Sequence, residues 1–225
     1  VLGDSHLGVA PTYLTQLPRP KVEAEVAALN GKRCAVHIGD REAIFDLPNR
    51  GLHYALDAVA ALSTAERILG EHFNLELAEK VLNELPPVFA RGEIVQINGE
   101  DVEFVLVQNP TSFQLNLDNL ELPLERLMIA IGRDVHDPSW MWTVDMSRIE
   151  RVDVISGYNV NELGLRLAYE DVQIDAIEED LFDAIDKFMS LPAPTHGVRT
   201  VVFSADAMRR LRRHLGFTSP EEVER

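Results

Sequence analysis

An α/β fold built on a largely parallel sheet is the class this sequence predicts, and three observations predict it. From about residue 102 onward, short apolar runs alternate with amphipathic segments of about ten residues, the pattern of strands separated by crossover helices. One of those runs, residues 127–131, is continuously apolar, as expected of a strand covered on both faces. It leads into residues 132–145, GRDVHDPSWMWTVD, which hold three aspartates, a histidine and both tryptophans of the protein. Charge that dense just past an apolar strand is where open α/β sheets place working residues.

In chain order, residues 1–29 carry Pro11, Pro18 and Pro20. They read as an extended connector without regular structure. Residues 33–46 form two alternating segments around Gly39-Asp40, a β-hairpin pattern. A helix is expected over Leu52–Leu69, with Leu52, Leu56, Val59, Ala60, Leu62 and Ala65 as its packing face and Gly70 as its C-cap. Asn74 is placed to cap a second helix with Leu75, Ala78, Val81 and Leu82 buried. Pro86-Pro87 ends it and marks a domain boundary, dividing the chain into residues 1–88 and 89–225. Residues 93–97 and 102–107 flank Asn98-Gly99, a second hairpin. Asn109 to Ser112 caps a short helix running through Leu120. After the 127–145 strand and loop come a strand at 152–155, helices at 159–168 and 177–189, a strand at Arg199–Phe203, and a basic helix at 205–215 capped by Ser204.

Composition bounds the function. At 225 residues the chain is long enough for one large or two small domains, and 46% hydrophobic with 26% charged residues is a globular composition. A net charge of −16 argues against nucleic acid as a partner. No apolar run approaches the roughly 20 residues a membrane span needs, and no leader pattern is visible, so a cytoplasmic location is expected. Cys34, the single cysteine, excludes an internal disulfide framework and a cysteine zinc ribbon. A first residue of Val rather than Met leaves open a fragment or a processed product. There is no GxxxxGK[ST], GxGxxG or GxSxG, so this segment does not hydrolyse ATP in the P-loop manner.

Five motifs in order give a sharper reading. They are Gly51-Leu52-His53-Tyr54-Ala55-Leu56-Asp57-Ala58-Val59-Ala60-Ala61, Phe89-Ala90-Arg91-Gly92-Glu93, Leu106-Val107-Gln108-Asn109-Pro110, Asp137-Pro138-Ser139-Trp140-Met141-Trp142 and Leu163-Gly164-Leu165-Arg166-Leu167-Ala168-Tyr169. From about Ala43 to the last helix the chain resembles the C-terminal half of MurT, the Mur-ligase-like subunit of lipid II isoglutaminyl synthase. The resemblance implies a Rossmann-like Mur-ligase C-terminal domain preceded by the tail of a central α/β domain. It implies ATP with Mg²⁺ as cofactors, with the P-loop ahead of Val1. The family activates the α-carboxylate of D-glutamate in the lipid II stem peptide and takes ammonia from a GatD-type glutaminase subunit in a heterodimer. A place at the inner face of the membrane follows from that substrate.

Residue by residue, the resemblance gives Asp137 the role of completing the glutaminase's Cys/His pair. A carboxylate beside a histidine fixes its tautomer and stabilises the imidazolium. It brings Arg91 toward the nucleotide phosphates, with Asn49, neighbouring the family's helix-asparagine positions, as a substitute for their nucleotide contact. The family's two helix asparagines fall on Tyr54 and Asp57 here. Plainer readings stand beside these: Asp137 as a local turn cap, Arg91 as a salt-bridge partner of Glu93, and Asn109 as a helix cap. Asp134, His136 and Asp137 are also a candidate metal set. Trp140 and Trp142 alternate in an extended segment, both core or one an interface anchor. Arg209, Arg210, Arg212 and Arg213 read as a solvated helix face that suits a helix C-terminus, or as a docking face for an acidic patch or anionic lipid. The competing functional reading is a non-catalytic, glutaminase-binding or regulatory module related to Mur ligases.

Overall fold

In the computed structural model, residues 22–85, 90–120 and 123–217 are described. The first three strands, β1 (Ala24–Asn30), β2 (Arg33–Ile38) and β3 (Arg41–Asp46), form an antiparallel sheet in that order. Period-two alternation sends Cys34, Val36 and Ile38 of β2 and Ala43 and Phe45 of β3 to one buried face. Helix α1 (Leu52–Leu69) covers that face with Ala55, Ala58, Val59 and Leu62. Its face is turned from the expected one: Leu56 and Ala60 are exposed, and the small Ala55 and Ala58 let the helix sit close to the sheet. Gly70 caps α1 in a left-handed conformation, as expected.

Helix α2 (Leu75–Glu84) starts at Asn74, whose side chain accepts from Leu77 N at 3.0 Å. Leu75, Ala78 and Leu82 pack inward, whereas Val81 of the expected stripe is half exposed. The helix also guards a sheet edge. Glu79 accepts from Ile44 N at 3.2 Å and Asn83 from Asp46 N at 2.6 Å, satisfying β3 main-chain donors. Strand β1 corrects the connector expected through residue 29. Its apolar residues are only partly buried because it is the outer strand of the sheet. The expected Pro86-Pro87 boundary lies outside the described residues.

A second sheet has six strands in the order β4-β5-β9-β6-β7-β8: β4 (Arg91–Ile97), β5 (Glu100–Leu106), β6 (Leu127–Ala130), β7 (Arg151–Ser156), β8 (Gln173–Glu178) and β9 (Arg199–Phe203). All pairs are parallel except the β4–β5 hairpin, where Asn98 and Gly99 both take positive φ as a two-residue turn requires. One face packs under α3 (Pro110–Asn119) and α4 (Val160–Tyr169) through residues such as Phe113, Leu117, Ile129 and Leu163. The other packs under α5 (Leu181–Ser190) and α6 (Ala205–His214) through Phe104, Met128, Phe188 and Leu211.

The expected helix at 177–189 starts late. Ile177 lies in strand β8, and α5 begins at Leu181 behind Asp180, whose carboxylate caps Phe182 N and Asp183 N. As the sheet's edge, β8 alternates exposed and half-buried residues rather than forming an apolar run.

Arg199 has no exposed surface. Its guanidinium bonds Glu100 at 2.8 Å and the carbonyls of Phe188 at 2.9 Å and Leu191 at 2.5 Å. It thereby ties β9 to the end of α5 and to β5. Replacing it with Leu strands those carbonyls inside the protein, so Arg199→Leu should lose about 3–5 kcal/mol of unfolding free energy in a denaturant titration.

Candidate functional site

The parallel strands end along one edge, and the loops leaving β6, β7 and β9 are stitched together there. Asn159 carries the tightest stitch. Its buried side-chain amide donates to Gly132 O and Val135 O, each at 2.9 Å, and its main-chain N–H donates to Ile131 O at 3.0 Å. Gly157 (φ 99°) lets the β7 turn pass over Ile131, where a Cβ would strike the main chain. From the β9 side, Gly132 N donates to Ser204 Oγ at 2.8 Å. Asp134 accepts from Ser204 Oγ at 2.6 Å and Ala205 N at 2.9 Å. So Asp134, not the expected Ser204 side chain, caps α6.

Residues 138–143, expected as an extended segment, form a 3-10 helix (Pro138–Thr143) behind Asp137. Asp137 Oδ1 accepts from Ser139 N at 3.0 Å. The residue is exposed. The hydroxyl of Ser139, and then its main-chain N–H, hold the carboxyl below the ordinary aspartate range. The group is therefore a carboxylate at neutral pH. The local-cap reading of Asp137 is correct, and the residue stays exposed to solvent.

The tryptophans divide. Trp140 is partly buried edge-on to Phe113, with centroids 6.1 Å apart. Trp142 is 43% exposed over the guanidinium of Arg166 and edge-on to Tyr169. Arg166 is buried and donates to Met141 O at 3.2 Å and Val144 O at 2.7 Å, so α4 grips the 3-10 helix directly. Asn109 is a cap, as read: its side chain accepts from Ser112 N at 2.8 Å in a capping box. The candidate metal set does not converge. Asp134 is engaged with α6, and among the described residues no group of three or more His, Cys, Asp or Glu is placed to hold a metal.

Arg91 and Asn49 meet elsewhere, where the N-terminal sheet unit abuts β4. Asn49 Nδ2 donates to Arg91 O at 3.2 Å, and the Tyr54 hydroxyl donates to the same carbonyl. Asn49 Oδ1 also accepts from Arg50 N at 2.8 Å. Gly92 (φ 72°) keeps this joint open, since a Cβ there would run into the Asn49 amide. The expected Arg91–Glu93 pair is absent. Glu93 instead binds Arg212 at 2.6 Å and Ala90 N at 2.9 Å, drawing α6 to β4. The Arg91 side chain is exposed, with no ion pair among the described residues. Tyr54 is half-buried, and burial pushes its phenol up to about 12. A cleft of about 350 Å³ opens beside this joint, lined by Asn49, Arg50, Glu103, Asn119, His196 and Thr200 among others.

Of the predicted site residues, then, Asn49 and Arg91 are brought together and Asp137 stands on a separate loop. Reading the sequence missed Asn159, Arg166 and Asp134 as the groups that hold that loop. They act through contacts 22–71 residues away. The Gly157-Tyr158-Asn159 turn was the one local signal.

Compared with known proteins, residues 106–202 match the family model described as MurT ligase C-terminal, a stretch that contains Asp137 and its loop. Among solved structures, a pseudomurein peptide ligase type C from Methanothermus fervidus is similar at TM-score 0.60 and 14% identity, covering 92% of this chain and 43% of that one. A folylpolyglutamate synthase from Mycobacterium tuberculosis complexed with ADP and AMPPCP gives 0.61 and 20%, over 86% and 48%. MurF from Acinetobacter baumannii gives 0.60 and 17%, over 90% and 44%. The fold is thus α/β of the Mur-ligase kind, and the chain spans less than half the length of these structures. A comparison with curated protein sequences returns no match.

The carboxyl of Asp137 should titrate below the ordinary aspartate midpoint of about 3.9 when followed by carbon-13 NMR. Ser139→Ala should move that midpoint up, because a lost donor destabilises the charged form. An unchanged midpoint contradicts the assigned hydrogen bond. Tyr54→Phe, removing one of two donors to Arg91 O, should cost about 0.5–1.5 kcal/mol in the same titration used for Arg199.

Proposed function

We propose that this chain is the C-terminal part of a MurT-like amidotransferase subunit, which amidates the α-carboxylate of D-glutamate in lipid II with ATP and ammonia from a GatD-type glutaminase. The observation that carries the reading is Asp137: an exposed, ionised carboxylate on a loop held by Asn159 and Asp134, inside the matched stretch. In this reading residues 1–88 are the tail of a central domain and residues 89–225 the C-terminal domain. The protein works in the cytoplasm at the inner face of the membrane. No helix among the described residues is long and apolar enough to cross a membrane.

The chemistry assigned to Asp137 is that of an orienting carboxylate. A carboxylate oxygen accepts the Nδ1–H of the glutaminase histidine, leaving Nε2 to take the proton of the cysteine thiol. The thiolate attacks the glutamine amide, the thioester forms and ammonia leaves. Because Asp137 arrives with this chain, hydrolysis depends on assembly. Asp137 itself stays ionised throughout, which its lowered pKa favours.

Toward ATP, the chain's own contribution is Arg91. Its exposed guanidinium has no ion pair among the described residues, and two side chains hold its carbonyl, a fit for a phosphate oxygen. Asn49 fits a supporting role better than a direct contact, since both ends of its amide bond main chain. Mg²⁺ would be held by nucleotide phosphates and residues outside this chain. A folylpolyglutamate synthase of similar fold is complexed with ADP and AMPPCP, in keeping with a nucleotide-binding reading. The alternative is a glutaminase-binding regulatory module without ATP chemistry. It is favoured by Tyr54 and Asp57 standing where the family has asparagines, and by the committed Asn49 amide.

Glutamine hydrolysis by a GatD-type glutaminase, alone and with this chain, tests the proposal. The wild-type chain should bind and raise the rate. Asp137→Asn should bind equally and lose about 100-fold or more of the stimulation. Equal stimulation by both versions reduces Asp137 to a loop residue, and no complex at all removes the partner. ATP-dependent amidation by the longer protein separates the ligase from the regulatory module.

A further inference from the structure

Ala90 holds a conformation that its own chemistry does not favour. Three non-glycine residues have positive φ among the described residues, and two of them, Asn98 and Asp171, are of the types that tolerate it. Ala90 (φ 58°) is not, and such a conformation persists only where its surroundings impose it. Three contacts do so. Ala90 has no exposed surface, its carbonyl accepts from Leu106 N at 2.6 Å, and its N–H donates to Glu93 Oε2 at 2.9 Å. The same Glu93 oxygen accepts from Arg212 at 2.6 Å. With 11% of the Arg212 side chain and 22% of the Glu93 side chain exposed, water weakens this pair less than it weakens a surface pair. Arg212 is itself fixed. Leu211 before it is fully buried, its carbonyl accepts from Phe217 N at 2.8 Å, and Phe217 lies edge-on to Phe104. At the other end of α6, Asp134 holds the first turn.

We infer that Arg212 is a positioning residue for Arg91: through Glu93 it holds the left-handed turn at Ala90 from which the Arg91 guanidinium is presented to a nucleotide phosphate; this rests on the reading of Arg91 above. The main chain at 90 and 91 is gripped from two sides. Glu93 and Leu106 hold Ala90, while Asn49 and Tyr54 hold the Arg91 carbonyl. The side chain stays exposed on a fixed base, which suits a fork of donors that must meet phosphate oxygens in one geometry. Arg212 has a second effect, on charge. Without it, Glu93 is a shielded carboxylate lacking its cation, two residues from Arg91 in the sequence. Burial pushes the Tyr54 phenol up, and among the charges that act on it Arg91 pulls down while Glu93 pushes up, so both lie within reach of one group. An unmatched Glu93 therefore competes for the guanidinium and repels a phosphate.

Calorimetric titration of ATP with Mg²⁺ into the longer protein tests this with Arg91→Ala, Arg212→Met, Arg212→Lys, Glu93→Gln and the double variant Arg91→Ala with Arg212→Met. Arg91→Ala and Arg212→Met should each weaken ATP binding about ten-fold. The double variant should bind no more weakly than Arg91→Ala, because Arg212 acts through Arg91. Arg212→Lys keeps the charge and should recover most of the affinity. Glu93→Gln keeps an acceptor for Ala90 N and should lose less than Arg212→Met; this variant and Arg212→Lys carry the test if Arg212→Met fails to fold. The unfolding midpoint should fall equally in Arg212→Met and the double variant, so lost stability cannot imitate the non-additive binding. Wild-type affinity in Arg212→Met, or a full additional loss in the double variant, overturns the inference while leaving Arg91 in place. Wild-type affinity in Arg91→Ala, or no ATP binding by the unmutated protein, removes the Arg91 reading and this inference with it.

Discussion

The buried amide of Asn159 is the contact on which the loop of Asp137 depends. One side chain from the β7–α4 turn satisfies two carbonyls of the loop leaving β6, while its own N–H satisfies a third. Gly132 O also accepts from Val135 N at 3.4 Å, and all three are buried main-chain acceptors that need a partner. Asp134 makes the matching connection to α6, and Arg166 holds the far end of the 3-10 helix. Asp137 sits between these anchors, and its exposed carboxylate is presented by that framework. The pKa follows from the same geometry, since the 3-10 turn that caps itself on Asp137 also stabilises its charge.

A second constraint operates at Arg91. Two donors from the N-terminal unit converge on its carbonyl, while its neighbour Glu93 is taken by Arg212. Among the described residues the guanidinium has no ion pair. The basic run on α6 is not a uniform solvated face. Arg212 is committed to Glu93 and Arg210 lies over Phe182, whereas Arg209 and Arg213 are exposed. A docking role for this run has no support beyond its charge.

Most of the fold was legible because burial writes itself as pattern. Strand β6 is covered on both faces and reads as an unbroken apolar run, and β9, equally buried, shows its Val201-Val202-Phe203 after Arg199 and Thr200. The hairpins announced themselves through Gly39-Asp40 and Asn98-Gly99. What escaped was the edges. In β1 and β8 only one side of each residue pair is covered, so Ala24–Asn30 and Gln173–Glu178 mix charge with small apolar residues and resemble connector or helix. Asp137 was visible through its motif, and its position as a cap through the Pro-Ser that follows. Its supports were not, because Asn159 and Asp134 look like ordinary turn residues until the strand order brings them within reach. The Arg91–Glu93 pairing failed for a related reason: adjacent charges predict a local bridge, and a helix 119 residues away supplied the stronger one.

The central claim is that this chain lends a carboxylate to a histidine of its partner. The direct measurement is the imidazole pKa of the glutaminase histidine, followed by proton–nitrogen NMR in the free subunit and in its complexes with the wild-type and Asp137→Asn chains. The account predicts a higher pKa in the wild-type complex than in the free subunit, because an adjacent carboxylate favours the imidazolium, with that rise absent in the Asp137→Asn complex. The same pKa in both complexes would contradict it.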